Sequence, residues 1–142
     1  MQWDIHNSSS YLEMLLTGRT RFFQRLVIAL KIVKLEEAPS LETVKGRHGM
    51  ILQSGEKIMM MVLTVEPGIP TPPHSHLHEQ IGYLIEGRGI LFSGGKSIEI
   101  EAGTSFLIPP HESHNFNATG EKPATIIDVF SPPRKDYLKK VE

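Results

Sequence analysis

The sequence predicts a single all-β domain that follows a short N-terminal arm, and three observations carry this prediction. The chain has 142 residues, which is the usual size of one domain. Its twelve glycines and ten prolines favour short strands joined by turns over long helices. From residue 31 onward, short apolar runs are bounded by turn residues. We therefore expect an arm over residues 1–30 and a β-sandwich or small barrel over residues 31–142.

Seven strands are expected in the barrel. They cover residues 57–66, 80–86, 89–92, 97–100, 104–108, 113–117 and 125–130. The turn Ser93-Gly94-Gly95-Lys96 joins two of them in a hairpin. In the arm, a capping-box pattern at Ser10–Glu13 predicts a short helix over residues 11–16, followed by a second helical or extended piece. Residues 134–142 are expected to form a helical turn.

Composition and charge exclude several classes of function. Fifteen basic residues oppose sixteen acidic ones, so no strong positive field exists and we expect no nucleic-acid partner. The absence of cysteine rules out disulfides, thiolate metal sites and a cysteine nucleophile, and it fits a reducing compartment. The most apolar early stretch, Leu26–Val33, is too short to cross a bilayer, so we expect no membrane partner and a cytoplasmic location.

Five of the seven histidines lie between residues 74 and 114. On a strand, residues two apart point to the same side, so His74 and His76 can face one point and Gln80 keeps that parity. His114 lies on another strand and could close the site. Three imidazoles and one amide oxygen suit a single divalent ion such as Zn, Fe, Mn, Ni or Cu. The alternative interpretation places His74 and His76 on the surface of a proline-rich loop.

The spacing of these residues extends over two motifs. Gly68 is followed after five residues by His74-x-His76, after three more by Gln80 and after six more by Gly87. A second element reads Gly103, five residues, Pro109 and then His114. This pattern resembles the two motifs of the cupin superfamily across residues 44–131, with Gln80, His111 and Ala118 in place of the family's glutamate, glycine and asparagine.

The resemblance implies a cupin fold, which is a double-stranded β-helix or jelly-roll barrel, and it implies a ligand set. In that set His74, His76, Gln80 and His114 bind one divalent metal ion. His78 has the same parity but lies between family positions, so it is interpreted as a donor behind the ligands or as a polar residue at the substrate rim.

Gln80 changes the charge of such a site. A ligating glutamate would cancel one of the ion's two positive charges, whereas a neutral amide leaves both in place. The ion then becomes a stronger Lewis acid and is less suited to stabilising Fe(III). This favours non-redox chemistry on a carboxylate or an enolisable carbonyl over dioxygenation. The alternative is that glutamine binds the same metal with no change in chemistry.

The last predicted strand contains a carboxylate. Asp128 interrupts the apolar run Thr125–Phe130, and a buried carboxylate is costly unless it is paired, hydrogen-bonded or in a wet cavity. Alternation leaves two options open. Asp128 and Phe130 face the cavity, where Asp128 could act as general acid or base, or they face solvent while Ile127 and Val129 face the core.

The stretch from Asp128 to Arg134 reads D-x-F-x-P-P-R. It resembles the end of small cupins from pectin and alginate breakdown that ketonise 4,5-unsaturated uronates. The resemblance implies that Asp128 transfers a proton, Phe130 packs against the substrate and Arg134 binds its carboxylate, a task that suits the geometry of guanidinium. The alternative for Arg134 is a solvated charge in a basic tail.

These inferences give one leading hypothesis and two alternatives. The first is a metal-dependent enzyme that isomerises or ketonises a small sugar acid. The second is a non-catalytic module that binds a sugar or carboxylate, and the third is a metal-dependent dioxygenase. The family resemblance also implies a homodimer formed through edge strands and the arm. Tyr83 is expected in the core or at a dimer contact. His48 is expected in a loop, with the rim of the site as the alternative.

Overall fold

The computed structural model describes residues 30–142, and Ile32–Glu142 form one compact unit. A 3-10 turn, Leu35–Glu37, precedes the strands, and a short helix, Lys135–Leu138, follows them. The nine strands are β1 (Ser40–Val44), β2 (Arg47–Ser54), β3 (Met59–Val65), β4 (Glu79–Glu86), β5 (Arg88–Ser93), β6 (Lys96–Glu101), β7 (Ser105–Ile108), β8 (His114–Ala118) and β9 (Ala124–Ser131). The predicted arm lies outside the described residues except at its last position.

The strands form two antiparallel sheets, which confirms the predicted all-β fold. One sheet has the order β1-β2-β3-β9-β4-β7, and the other has the order β6-β5-β8. All seven predicted strands are present, with ends that differ by at most two residues, and the predicted turn at the C-terminus is the helix Lys135–Leu138. Within residues 30–142, no helix is long and apolar enough to span a membrane.

The sequence did not predict strands β1 and β2 individually. The expected loop position of His48 is therefore wrong. His48 is an exposed residue of β2. The two glycines that flank Arg47 and His48 suggested a loop, but only Gly46 makes a turn, with φ of 76°. Gly49 lies in the strand, where a Cβ would collide with the side chain of Met61.

Two apolar clusters fill the interior. One contains the buried residues Val65, Leu84, Leu91, Ile100, Phe116, Ala118, Ala124 and Ile126. The other contains Leu41, Ile51, Met59, Met61 and Phe130, with residues of the C-terminal helix packed against it. Along the buried face of β9, Ile126 belongs to the first cluster and Phe130 to the second, so Asp128 lies between them in the strand.

Strand β4 pairs with β9 in a register that positions the site. Gln80 lies opposite Phe130, Gly82 opposite Asp128, and Leu84 opposite Ile126. Gln80 is therefore a diagonal neighbour of Asp128 on the interior face.

The outer face of β4 is apolar and exposed. Tyr83 is 46% exposed, and Ile81 and Ile85 beside it are exposed to a similar degree. Of the two alternatives for Tyr83, core packing is therefore wrong.

Candidate functional site

His74 and His76 lie in an irregular segment and not in a regular strand. His74 makes an isolated antiparallel bridge with His114, in which each backbone N–H donates to the other's carbonyl at 2.9 Å. The parity argument for His74 and His76 therefore used the wrong local conformation. The side chains converge because a backbone bridge joins the segment to β8.

A turn that precedes β8 holds the backbone of His76 in place. The backbone N–H of His111 donates to the carbonyl of His76 at 2.7 Å. His111 has φ of 66°, a left-handed conformation that costs energy for any residue with a Cβ. This is the position at which the cupin motif has glycine, so the backbone conformation is kept although the residue differs.

Three imidazoles meet at one point. One nitrogen from each of His74, His76 and His114 lies within 4.8 Å of the others. The ring centroid of His114 is 4.5 Å from that of His74 and 4.9 Å from that of His76. Gln80 contributes an oxygen beside them, because its Oε1 lies 3.2 Å from Nε2 of His76.

Backbone carbonyls set the tautomers of two of these rings. Nδ1 of His114 lies 2.7 Å from the carbonyl of Glu112, and Nδ1 of His76 lies 3.1 Å from the carbonyl of His78. A carbonyl oxygen only accepts, so each Nδ1 donates and each Nε2 keeps a lone pair. Nε2 of His114 is buried and has no hydrogen-bond partner among residues 30–142.

This arrangement fits a divalent cation. A buried polar atom without a partner is rare and costly, and a metal ion would satisfy the lone pair of His114. Nε2 of His76 and Oε1 of Gln80 are two acceptors that face each other at 3.2 Å, an arrangement that a cation between them would stabilise. The three histidines are thus a possible metal site, with Gln80 beside it.

Desolvation keeps the imidazoles neutral. It lowers the pKa values of His74 and His76 to about 4, and repulsion between basic groups contributes, chiefly from His114 for His74 and from Arg134 for His76. Burial also lowers the pKa of His114. Neutral imidazoles are the form that binds metal ions.

Asp128 faces the interior and orients Gln80. It is 2% exposed, and its Oδ1 accepts a hydrogen bond from Nε2 of Gln80 at 2.8 Å. The amide nitrogen is thereby directed to the carboxylate and Oε1 to the histidines. Burial raises the pKa of Asp128 to about 6, against the opposing effects of the Gln80 hydrogen bond and of Arg47 and Arg134.

A cavity of about 360 Å³ opens beside this group. The volume is at the small end of the range for small-molecule sites, which runs from about 300 to 1,000 Å³. Both sheets and the C-terminal helix contribute to its wall. Among the lining residues are His74, His114, Gln80, Asp128, Phe130 and Tyr137.

Phe130 and His78 have different places relative to this cavity. Phe130 lines it, and its ring stands edge-on to that of His76 at 5.8 Å. His78 is buried beside His76, with ring centroids 5.3 Å apart, and it is not among the residues that line the cavity. The position of His78 favours a role behind the metal-site histidines over the predicted contact with substrate.

Arg134 lines the cavity but is already paired. Its Nε and Nη2 donate to the two carboxylate oxygens of Asp136 at 2.9 and 2.7 Å, and its guanidinium stacks on Tyr137 at 3.9 Å from the ring centroid. Only 7% of the residue is exposed, so the alternative of a solvated tail charge is wrong. The predicted carboxylate-binding edge of Arg134 faces a carboxylate of the chain itself.

The sequence prediction missed Arg47, a second buried arginine in the cavity wall. It is the first residue of β2 and is 7% exposed. A signal was present, because Arg47 has the same parity as Gly49 and the buried Ile51, so recognition of β2 would have placed it on the interior face. Buried arginine is rare, and the flanking glycines concealed the strand.

Comparison with known proteins agrees with the fold and the motif spacing. A family model described as Cupin domain matches residues 61–130 of this chain. The chain belongs to the cupin superfamily.

Three similar proteins illustrate the range of this cupin's relatives. Pectin degradation protein KdgF from Dickeya dadantii is 28% identical over 104 residues, which cover 72% of this chain and 94% of the relative. The structure of KdgF from Halomonas sp. is 27% identical with a TM-score of 0.69, over 76% of this chain and 98% of that one. Auxin-binding protein 1 from Arabidopsis thaliana is 28% identical over 100 residues, which cover 63% of this chain and 50% of the relative.

Proposed function

We propose that this cupin is a metal-dependent enzyme that isomerises or ketonises a small sugar acid. The observation that supports the proposal most strongly is the hydrogen bond between Asp128 and Gln80 beside three convergent histidines. The bond joins a buried carboxylate to the amide beside the three histidines, in the wall of one small cavity, and this supports a role for Asp128 in proton transfer. Pairs of this kind serve proton transfer at a carbon next to a carbonyl.

The ligands of the metal ion are His74, His76, His114 and Gln80 in this proposal. When bound, a divalent ion supplies Lewis-acid polarisation of a substrate carbonyl or hydroxyl. The set of imidazole and amide ligands suits Zn, Fe, Mn, Ni or Cu.

The chain's own residues perform the proton transfer. Oδ1 of Asp128 accepts the hydrogen bond from Gln80, which leaves Oδ2 to take a proton from the substrate or return one. Phe130 packs along the same wall and excludes water from the reacting atoms. Gln80 couples the two parts of the site, since one amide contacts both the carboxylate and the histidine group.

The relatives support the substrate class. Two similar proteins are named KdgF, and the name of one places it in pectin degradation. Those alignments extend over most of this chain, and the D-x-F-x-P-P-R stretch resembles the corresponding end of such cupins. We therefore name 4,5-unsaturated uronates as the first substrates to test.

The test compares two carboxylate replacements in the metal-loaded protein. Asp128→Asn should keep the metal ion and lower turnover of unsaturated uronates by about 100-fold or more, because general acid–base catalysis contributes about 10²–10⁴. Glu79→Gln is the matched control, since Glu79 is an exposed carboxylate on β4. Loss of the absorbance of the conjugated double bond measures turnover, and full activity of Asp128→Asn would contradict the assignment.

The same experiment separates the alternatives. Tight binding of a sugar acid without turnover would favour a binding module, a role for which Auxin-binding protein 1 is a named example among the relatives. Oxygen consumption by the iron-loaded protein would favour a dioxygenase.

A second copy of the chain is the proposed partner. Ile81, Tyr83 and Ile85 of β4 and Leu107 of β7 are exposed, and Ile81 lies opposite Leu107 in the ladder. A continuous apolar face of this kind is unfavourable in water and favours association. Light scattering should give the mass of a dimer and Tyr83→Glu the mass of a monomer, whereas a monomeric parent protein would contradict this proposal.

A further inference from the structure

Arg47 crosses the interior from one sheet to the other. It begins β2 in the six-stranded sheet, and its Nη2 donates to the backbone carbonyl of Phe116 in the three-stranded sheet. The same nitrogen donates to Oγ1 of Thr71 at 2.6 Å. The guanidinium therefore has a fixed position in the cavity wall.

Arg47 forms no ion pair with any carboxylate in the described part of the chain. Its Nε is buried and donates no hydrogen bond to any residue that the structure describes. Desolvation is the largest influence on the pKa of Arg47 and lowers it, while Tyr137 and then Asp128 oppose the shift without a direct bond to Arg47. A buried cation in this state is costly, and an anion in the cavity would compensate it.

Arg134 provides the contrast. Two of its nitrogens, Nε and Nη2, donate to Asp136, and its face is stacked on Tyr137. A substrate carboxylate at Arg134 would have to displace Asp136 or share the guanidinium with it. Arg47 has no such competitor.

Thr71 extends the site around Arg47. Its backbone is fixed twice, because its N–H donates to Oδ1 of Asn117 at 3.1 Å and its carbonyl accepts from the side-chain amide of Asn115. Since the hydroxyl oxygen already accepts from Arg47, its hydrogen is available to donate to a ligand. Both residues line the cavity.

We propose that Arg47 and Thr71 form the anion-binding end of the cavity, and that Arg47 binds the carboxylate of the substrate. The identity of the anion as a sugar acid rests on the proposed function. Arg47 lines the same cavity as His74, His114 and Asp128. A small acid bound there extends toward the groups that carry out the chemistry.

The test measures binding of D-galacturonate and of its neutral methyl ester to the metal-loaded protein by calorimetry. Arg47→Met should weaken binding of the acid by about 30-fold or more, as expected for the loss of one partner of a buried charged pair, and should leave the ester unchanged. Arg47→Lys keeps the charge and tests geometry, with an intermediate loss. Arg134→Met is the matched control and should change binding of the acid less than Arg47→Met.

The outcomes distinguish this inference from the proposed function. A larger loss in Arg134→Met than in both Arg47 variants would overturn it, and so would equal binding of acid and ester, or binding of neither, by the parent protein. Thermal unfolding of each variant shows whether it is folded. If Arg47→Met does not fold, Arg47→Lys still tests the inference. Binding of the acid through Arg47 with no turnover of any unsaturated uronate would support the inference and refute the enzyme.

Discussion

The ladder between β4 and β9 has two halves that serve different purposes. In one half, Leu84 lies opposite Ile126, and both side chains are fully buried in an apolar cluster. In the other half, Gln80 and Asp128 are also buried, but they are polar and hydrogen-bonded to each other. The pairs that contain Gln80, Asp128 and Leu84 all lie in the regular part of the ladder, before its register shifts between Leu84 and Glu86, so their side chains make the difference.

The apolar half stabilises the fold, whereas the polar half reduces stability. Burial of Leu84 and Ile126 removes apolar surface from water, which is the main favourable term in folding. Burial of Asp128 costs free energy that one hydrogen bond only partly offsets. Stability and function should therefore respond separately to substitutions in the two halves.

The largest expected effect is loss of the metal ion in His114→Ala. Substitution of residues that only support metal ligands lowers metal affinity by about 10–100-fold. His114 is a ligand itself in the proposal, so we expect metal affinity to fall by more than about 100-fold. Elemental analysis and competition with a chelator measure it. His48→Ala, which changes an exposed imidazole on β2, should bind the metal like the parent protein, and equal affinity of the two variants would refute the site.

Leu84→Ala should affect the other half of the ladder. A buried leucine replaced by alanine costs about 2–5 kcal/mol in the free energy of unfolding, through lost burial and the cavity that remains. Denaturant titration measures the loss, and metal stoichiometry should stay at the parent value. If this variant lost the metal ion while folded, the two halves would not be independent.

Asp128→Asn should raise the free energy of unfolding of the metal-free protein by about 1 kcal/mol or more at pH 8, because it removes a buried charge. The pKa of Asp128 is raised from 3.8 to about 6 on folding, so ionisation opposes folding fully above pH 6. The gain should therefore decline as the pH falls from about 6 toward 4. Thermal unfolding at several pH values measures it, and a stability loss at pH 8 would show that Asp128 is structural.

The smallest expected effect is a gain from His111→Gly. The left-handed conformation at φ of 66° costs roughly 1 kcal/mol for a residue with a Cβ, while glycine adopts it freely but loses more chain entropy. We expect a net gain below about 1 kcal/mol with the metal site intact. His111→Ala retains the Cβ and should give no such gain, so equal melting temperatures of the two variants would contradict the argument.

The sequence predicted those parts of the fold that depend on local patterns. Short apolar runs between turn residues identified seven strands, but the pair β1 and β2 was concealed because Gly46 and Gly49 resemble loop residues. Gly49 has a packing role against Met61, which no local pattern shows.

The site was predictable from spacing but not from conformation. The interval between His74, His76 and His114 indicated one cluster, although the chain reaches it through a backbone bridge and not through a regular strand. The burial of Arg47 depends on tertiary contacts such as its bond to the carbonyl of Phe116, so the sequence did not show it. The pairing of Arg134 with Asp136 is local, but only the fold shows that the pair lines the cavity.

The bridge between the backbones of His74 and His114 has a consequence for metal supply. Because two amide-to-carbonyl bonds join these segments, the coordinating rings are prearranged before any ion arrives. We therefore expect folding to owe little to the proposed ion, unlike the folding of small zinc domains, which form only around their metal. On this proposal the ion can be removed and returned while the protein stays folded, and the ion bound depends on which ions the surrounding medium offers.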